Sequence, residues 1–103
     1  MYNITLSNSA KYDINIIFNY CAERFGLNYA LKIRNKIKAE INKLQYFPEA
    51  NPIYSINNNT IFRKRIVNGR YIIVFQIIFN HIYILYVYDA RRNINPKDLL
   101  KDK

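Results

Sequence analysis

The chain has 103 residues, half of them hydrophobic, which is the size of one folded domain and excludes a disordered chain. Sixteen Lys and Arg residues against seven acidic residues give a formal net charge of +9. Because such an excess attracts polyanions, we expect nucleic acid or an acidic protein as the partner. A basic surface that is merely solvated is the alternative that composition leaves open.

The scarce residue types exclude several classes of protein. A single cysteine and a single histidine cannot form an internal disulfide or a four-ligand zinc site, so we expect no metal and no other cofactor. Cys21 is predicted to be a buried apolar residue. No apolar run reaches the roughly 18 residues of a membrane-spanning helix, and the N-terminus lacks the pattern of a secretion signal. We therefore predict a cytoplasmic protein without a membrane partner.

The first half of the chain predicts a strand and two helices. Residues 2–6 alternate like a short strand, and the apolar residues of 10–25 recur at three- and four-residue steps up to Gly26, where a helix would end. Asn28 is expected to cap a second helix that Pro48 stops. The apolar stripe of this second helix is Ala30, Ile33, Ile37, Ile41 and Leu44. Its other face, expected to be solvated, has Lys32, Arg34, Lys36, Lys38 and Lys43.

The second half predicts a loop over residues 48–60 and then three strands over residues 61–92. The strands are separated by Asn68-Gly69, the strongest short hairpin signal, and by Asn80-His81. Successive strand residues point to opposite faces, so Arg63 and Arg65 should share one face while Lys64 takes the other. These strands form an antiparallel meander, and the helical hairpin is expected to cover one of its faces.

The predicted fold class is α+β. An N-terminal strand precedes an antiparallel two-helix hairpin, which packs on a mainly antiparallel four-stranded sheet in the order β-α-α-β-β-β. Residues 1–98 are expected to form one domain, and residues 99–103 a disordered tail. The aromatic residues of the meander exceed what one hairpin can cover, so we expect an acidic partner to bury them. They include Tyr71, Phe75, Tyr83 and Tyr86.

Four short motifs carry a resemblance to a known family. They are Leu44-Gln45-Tyr46-Phe47-Pro48, Arg63-Lys64-Arg65, the run YIIVF over residues 71–75 and the run VYDARRN over residues 87–93. In this order and spacing the chain resembles the RelE/ParE superfamily of toxins from bacterial type II toxin–antitoxin systems, over about residues 2–98. The resemblance implies a cognate antitoxin that wraps the basic surface in a hetero-oligomer. It also implies one of two actions, because RelE-like members cut mRNA on the ribosome and ParE-like members poison DNA gyrase.

Metal-independent RNA cleavage defines the candidate site residues. It needs cations at the phosphate, a group that takes the 2′-hydroxyl proton and a donor to the leaving oxygen. The candidate catalytic residues are Arg63, Arg65, Arg91, Tyr88 and His81. The candidate nucleic-acid-binding residues are Lys64, Arg70 and Arg92.

Each candidate also has a structural alternative. His81 and Arg91 end the same strand about 20 Å apart, so His81 is more often a solvated turn residue. Tyr88 is more often a packing residue, and Arg63 and Arg65 can form a solvated edge. Asp89 can pair with Arg91 or Arg92. The chain departs from RelE-like nucleases because no Tyr or His follows Asp89.

Three hypotheses of function follow. We expect a growth-inhibiting toxin that cleaves mRNA on the ribosome, because cations cluster on the strands where a nuclease site would lie. The alternative is a ParE-like inhibitor of DNA gyrase, since fold alone does not choose between the two. The third is a non-catalytic module that binds nucleic acid or protein.

Overall fold

The computed structural model describes residues 1–91 of the chain. The helices and strands are β1 (Asn3–Leu6), α1 (Asn8–Phe25), α2 (Leu27–Lys43), β2 (Ile53–Asn57), β3 (Thr60–Val67), β4 (Tyr71–Ile78) and β5 (His81–Asp89), with a 3₁₀ turn at Pro48–Ala50. The sheet has the order β1-β5-β4-β3-β2. β1 runs parallel to β5 and the other neighbours are antiparallel. The predicted α+β fold is therefore confirmed, with one strand more than expected.

The additional strand is β2, in the segment predicted to be a loop. It pairs with β3, Ile56 opposite Ile61 and Asn57 opposite Thr60. Its turn uses Asn58 and Asn59, which both have positive φ angles. Asparagine tolerates this conformation, so these two residues form the tight turn of a β-hairpin inside the predicted loop. The predicted turn at Asn68-Gly69 is confirmed, also with two positive φ angles.

The two helices are joined by Gly26 alone. Gly26 has a φ of 93°, its N–H donates to the carbonyl of Ala22, and its own carbonyl accepts from Ala30. One glycine thus ends α1 and begins α2 at Leu27, so Asn28 is not the cap. α1 begins after Ser7, whose hydroxyl accepts from the Ala10 N–H.

The core lies between the helical hairpin and one side of the sheet, which we call the helix face. The helices contribute Ala10, Ile14, Ile17, Cys21, Ala30, Ile33, Ile37 and Ile41, and the strands Val67, Tyr71, Ile73, Phe75, Ile82, Ile84 and Val87. Cys21 is fully buried, as predicted. The other side of the sheet, the open face, has no helix of residues 1–91 over it.

A bulge in β5 shifts the alternation of its side chains between the two faces of the sheet. Phe75 pairs with Ile84 whereas Val74 pairs with Tyr86, so Leu85 is skipped. The main chain beside the bulge is bonded by α1 and its cap. The Ser7 hydroxyl donates to the Leu85 carbonyl, and the Val87 N–H donates to the Asp13 carboxylate. Helix and strand are therefore fixed to each other by hydrogen bonds from side chains to the strand main chain, as well as by apolar packing.

Candidate functional site

The five candidate catalytic residues lie on both sides of the sheet. Arg63 and Arg65 pair with Phe75 and Ile73, which belong to the core, so both arginines are on the helix face. Tyr88 pairs with Ile72 on the open face, at the Arg91 end of β5. His81 begins β5 at the other end. The structure confirms that Arg63 and Arg65 share a face, and it brings no general acid or base from the candidate set beside them.

Arg65 is bonded to α2. Its Nε donates to Glu40 Oε1 at 2.8 Å, and its NH2 lies 2.8 Å from the same oxygen. Lys43 Nζ approaches Glu40 Oε2 at 2.8 Å. The hydrogen bond from Lys43, together with those from Arg65, holds the pKa of the Glu40 carboxyl below its ordinary value, against the opposing effect of partial burial. Glu40 is thus a carboxylate shared by Lys43 and Arg65. Sequence reasoning missed the contact with Arg65 because the two residues are 25 positions apart.

Arg63 is held by main-chain oxygens. Its NH1 donates to the carbonyls of Asn51 at 2.8 Å and Glu49 at 3.2 Å. The Asn51 side chain is buried, accepts from Arg65 NH1 at 3.2 Å and donates to the Pro48 carbonyl at 3.0 Å. Asn51 therefore links both arginines to the turn after α2. Its position after Pro48 is a turn signal, but its contacts to β3 are not readable from local sequence.

Arg70, predicted to bind nucleic acid, is bonded to Asp89. Its Nε and NH2 donate to Asp89 Oδ2 at 2.9 and 2.7 Å, and the side chains are only 15% and 11% exposed. The hydrogen bonds from Arg70 to Asp89 raise the pKa of the guanidinium further above its ordinary value. The guanidinium also lies 5.3 Å from the Tyr71 ring centroid. In this structure Arg70 closes the end of the β3–β4 hairpin onto β5.

Arg91 and Lys64 are the other described cations of the predicted set. Arg91 is 66% exposed, with its Nε 4.0 Å from Asp89 Oδ1, the oxygen that accepts its backbone N–H at 3.0 Å. Asp89 thus pairs with Arg70 as well as with the predicted Arg91. Lys64 is partly exposed on the open face, where it pairs with Val74. Arg92 and the tail predicted at 99–103 lie outside the described residues.

Tyr88 and His81 have separate partners on the open face. The Tyr88 and Tyr54 hydroxyls share a hydrogen bond of 3.0 Å across an edge-to-face contact. Burial, and then the bond to Tyr88, raise the pKa of Tyr54. His81 Nε2 lies 2.6 Å from Thr5 Oγ1, and its ring stacks on Tyr83 at 4.4 Å. His81 and Tyr88 pair with opposite ends of β4, Ile78 and Ile72, so they do not form one site.

The predicted aromatic docking surface on the meander is mostly interior. Tyr71 and Phe75 are 1% and 0% exposed under the helices, and Tyr86 is 5% exposed. Only Tyr83 of the four is partly exposed. The expectation that these rings await a partner was wrong for Tyr71, Phe75 and Tyr86. The helices cover the first two, and Tyr86, which the β5 bulge places opposite Val74 on the open face, is buried there.

Three exposed lysines follow one line along α2, and we call them the lysine ridge: Lys32, Lys36 and Lys43. Steps of four and seven residues place them on one side of the helix over about 16 Å. Glu40, the one acidic residue of α2, is already shared by Lys43 and Arg65. Lys36 Nζ also donates to Asn68 Oδ1 at 3.1 Å. The lysine ridge is therefore a positively charged strip on the exposed side of α2.

Within residues 1–91, no three or more His, Cys, Asp and Glu side chains form a group that could hold a metal ion. In the same residues, no helix is both long and apolar enough to span a membrane.

Comparisons with known proteins agree with this architecture. One solved structure, described as "Chromosomal ParDE TA system from P. aeruginosa", superposes with a TM-score of 0.76 at 19% sequence identity, covering 86% of this chain and 96% of that chain. At this identity the likeness supports the fold. No curated protein matches the sequence. The profile of the family described as "ParE toxin of type II toxin-antitoxin system, parDE" matches residues 4–94, nearly the whole chain. The chain therefore belongs to the ParE toxin family of the type II toxin–antitoxin systems, within the RelE/ParE superfamily.

Proposed function

We propose that this protein is a growth-inhibiting toxin that a cognate acidic antitoxin neutralises, and that the free toxin poisons DNA gyrase. Membership of the ParE toxin family supports the toxin–antitoxin part, as does the likeness to a ParDE system. The excess of nine positive charges supports an acidic antitoxin.

The lysine ridge is the surface proposed for the antitoxin. Its three ammonium groups are exposed, and the only carboxylate of α2 is shared between Lys43 and Arg65. An acidic antitoxin segment lying along the ridge would therefore meet three lysines. Of the α2 side chains, only the Glu40 carboxylate would compete with it for them. The lysine ridge replaces the mostly buried aromatic residues of the meander as the proposed antitoxin contact.

The separation of the candidate catalytic residues supports gyrase poisoning over RNA cleavage. A general base must come within hydrogen-bond reach of the proton that it removes, and the cations must contact the same phosphate. Arg63 and Arg65 lie on the helix face with Glu40 and Asn51 as partners, whereas Tyr88 and His81 lie on the open face at opposite ends. A toxin that acts by binding a protein needs no such convergence.

Ribosome-dependent mRNA cleavage is the second candidate, and one observation favours it. Tyr88 and the 66% exposed Arg91 lie three residues apart at one end of the sheet, and Lys64 is on the same open face as Tyr88. In this candidate the cations would bind phosphate, and the Tyr88 hydroxyl, paired with Tyr54, would donate to the leaving oxygen.

Two assays on the purified toxin separate these actions. The first measures supercoiling by gyrase and the trapping of gyrase–DNA cleavage complexes, and the second maps message ends after incubation with translating ribosomes. We expect inhibited supercoiling, trapped gyrase–DNA complexes and intact messages, and the two effects on gyrase should disappear when the antitoxin is added. Cut messages that become intact in a Tyr88→Phe or Arg91→Gln variant, with unaffected gyrase, would establish the nuclease instead. Normal growth on expression without antitoxin would contradict both actions.

A further inference from the structure

Phe79 occupies a turn position that normally requires glycine. Ile78 pairs with His81, so Phe79 and Asn80 form a two-residue turn between β4 and β5. Phe79 has a φ of 54°. When only the first of the two central residues of a hairpin turn has a positive φ, glycine is the favoured residue at that position. Phe79 is nevertheless 95% exposed, so neither backbone preference nor burial in this chain explains the aromatic ring.

Phe47 repeats the same combination nearby. It has a φ of 52° and is 80% exposed, whereas Leu44 and Pro48 of the same motif are buried. Within residues 1–91, five non-glycine residues have positive φ angles, and the other three are asparagines, which tolerate this conformation. Two exposed phenylalanines that are both strained in this way indicate a function for the rings.

Both rings lie at one end of the molecule, which we call the turn end: Met1, Tyr46, Phe47, Ile78 and Phe79. The Asn3 N–H donates to the Asn80 carbonyl, and the Tyr2 N–H donates to the Gln45 carbonyl, so β1 connects the two segments. A surface pocket of about 350 Å³ lies beside Phe47, between Met1, Tyr2, Gln45, Tyr46 and Glu49. All five residues of the turn end are at least 44% exposed.

The charge of the turn end identifies the kind of occupant. Residues 57–61 and 77–80, which form the two hairpin turns at this end, contain no Lys, Arg, Asp or Glu, in a chain of net charge +9. The carboxylate in the pocket, Glu49, accepts a hydrogen bond from the Tyr2 hydroxyl. The two hairpin turns therefore offer no cationic side chain to a nucleic-acid backbone or to an acidic antitoxin segment, whereas the lysine ridge does. Aromatic residues without charge are typical of the core of a protein–protein interface.

We propose that the turn end binds the protein that the toxin inhibits, with Phe79 and Phe47 inserting into apolar pockets of that protein. This inference depends on the proposed action on a protein target and names the toxin surface that makes the contact. It also explains why two strained positions hold phenylalanine, because the rings contribute binding to the target and not stability to the toxin.

The test replaces each phenylalanine by glycine, the residue that the backbone prefers. Phe79→Gly and Phe47→Gly should have the same or a higher Tm than the parent and should bind the antitoxin equally well. Toxicity on expression without antitoxin should fall at least about tenfold, as expected for loss of an aromatic residue at an interface centre, with a similar rise in the concentration that traps gyrase complexes. Phe79→Asn, which also tolerates the positive φ, is a second variant should glycine loosen the turn.

Tyr12→Gln is the matched control, because it removes a 65% exposed aromatic ring from α1, away from the turn end. It should remain fully toxic. Glycine variants that are as toxic as the parent would overturn the inference, and so would variants that stay toxic but no longer bind the antitoxin. If the parent toxin stops growth without affecting gyrase, the proposed action fails, and the toxicity of the glycine variants still decides whether the turn end contacts the target.

Discussion

Individual arginines differ more in their partners than in their sequence context. Arg65 and Arg70 are bonded to Glu40 and Asp89, Arg63 to main-chain carbonyls, and Arg91 is largely exposed. Alternation along β3 predicted the shared face of Arg63 and Arg65 correctly. It could not predict their partners, because Glu40 and Asn51 reach β3 only after α2 has packed on the sheet. The position of an arginine in a strand therefore predicts the face of the sheet on which it lies, but not whether its charge is free to bind a partner.

The Glu40 carboxylate should make the stability of the toxin depend on pH. Its pKa is lowered in the folded state by Lys43 and Arg65, so its contribution is complete above the ordinary value of about 4.3 and is lost as the pH falls through the folded value. We expect Glu40→Gln to lower the free energy of unfolding by about 1 kcal/mol at pH 7. The difference from the parent should shrink below about pH 4. Urea denaturation at pH 7, 5 and 3.5 measures both.

Glu23→Gln is the control for this prediction, because Glu23 is an exposed glutamate of the other helix. It should change the stability little at any of the three pH values. A Glu40→Gln difference that stays constant from pH 7 to 3.5 would mean that the carboxylate charge contributes nothing to the bonds with Lys43 and Arg65.

At the scale of helices and strands, local chemistry predicted most of the fold. The helical stripes, the end of α1 at Gly26 and the hairpin at Asn68-Gly69 depend on neighbouring residues, and the structure confirms them. β2 was missed because its short run lies between Pro52 and three asparagines, and only pairing with β3 makes it a strand. The β5 bulge was also missed, since the side chains bonded to the strand main chain beside it, Ser7 and Asp13, are more than 70 residues away in the sequence.

The β3–β4 turn gives a test of this local chemistry. Gly69 has a φ of 64°, and a Cβ added to it would meet no atom within 4 Å, so the cost of Gly69→Ala is backbone strain alone. We expect a loss of about 1 kcal/mol in the free energy of unfolding. Gly69→Asn should lose less, because asparagine tolerates this region. Equal losses in the two variants, measured by urea denaturation, would show that the turn does not depend on φ.

For the whole molecule, the distribution of charge matters more than its total. The net charge of +9 predicted an anionic partner but not where it binds. The structure separates a helical side with the lysine ridge from a turn end without charged side chains in its two hairpin turns. We therefore infer two binding surfaces, a basic one for the antitoxin and an apolar one for the target, which would allow neutralisation and toxicity to be separated by mutation.

The last prediction concerns the basic surface and uses two variants of equal net charge. Lys32→Gln/Lys36→Gln removes two charges from the lysine ridge, and Lys11→Gln/Lys38→Gln removes two exposed charges elsewhere on the helices. Lys38 is about 140° around α2 from the centre of the ridge, by the usual 3.6 residues per turn. Both variants should remain toxic without antitoxin, because neither changes the turn end.

We expect the ridge variant to associate with the antitoxin about tenfold more slowly at low salt, and its association rate to depend less on ionic strength than that of the parent. The control variant should stay close to the parent, although its net charge is the same as that of the ridge variant. Association rates measured at several salt concentrations distinguish the two explanations. If both variants slow equally, the antitoxin responds to the total charge of the toxin, and the lysine ridge is not its binding surface.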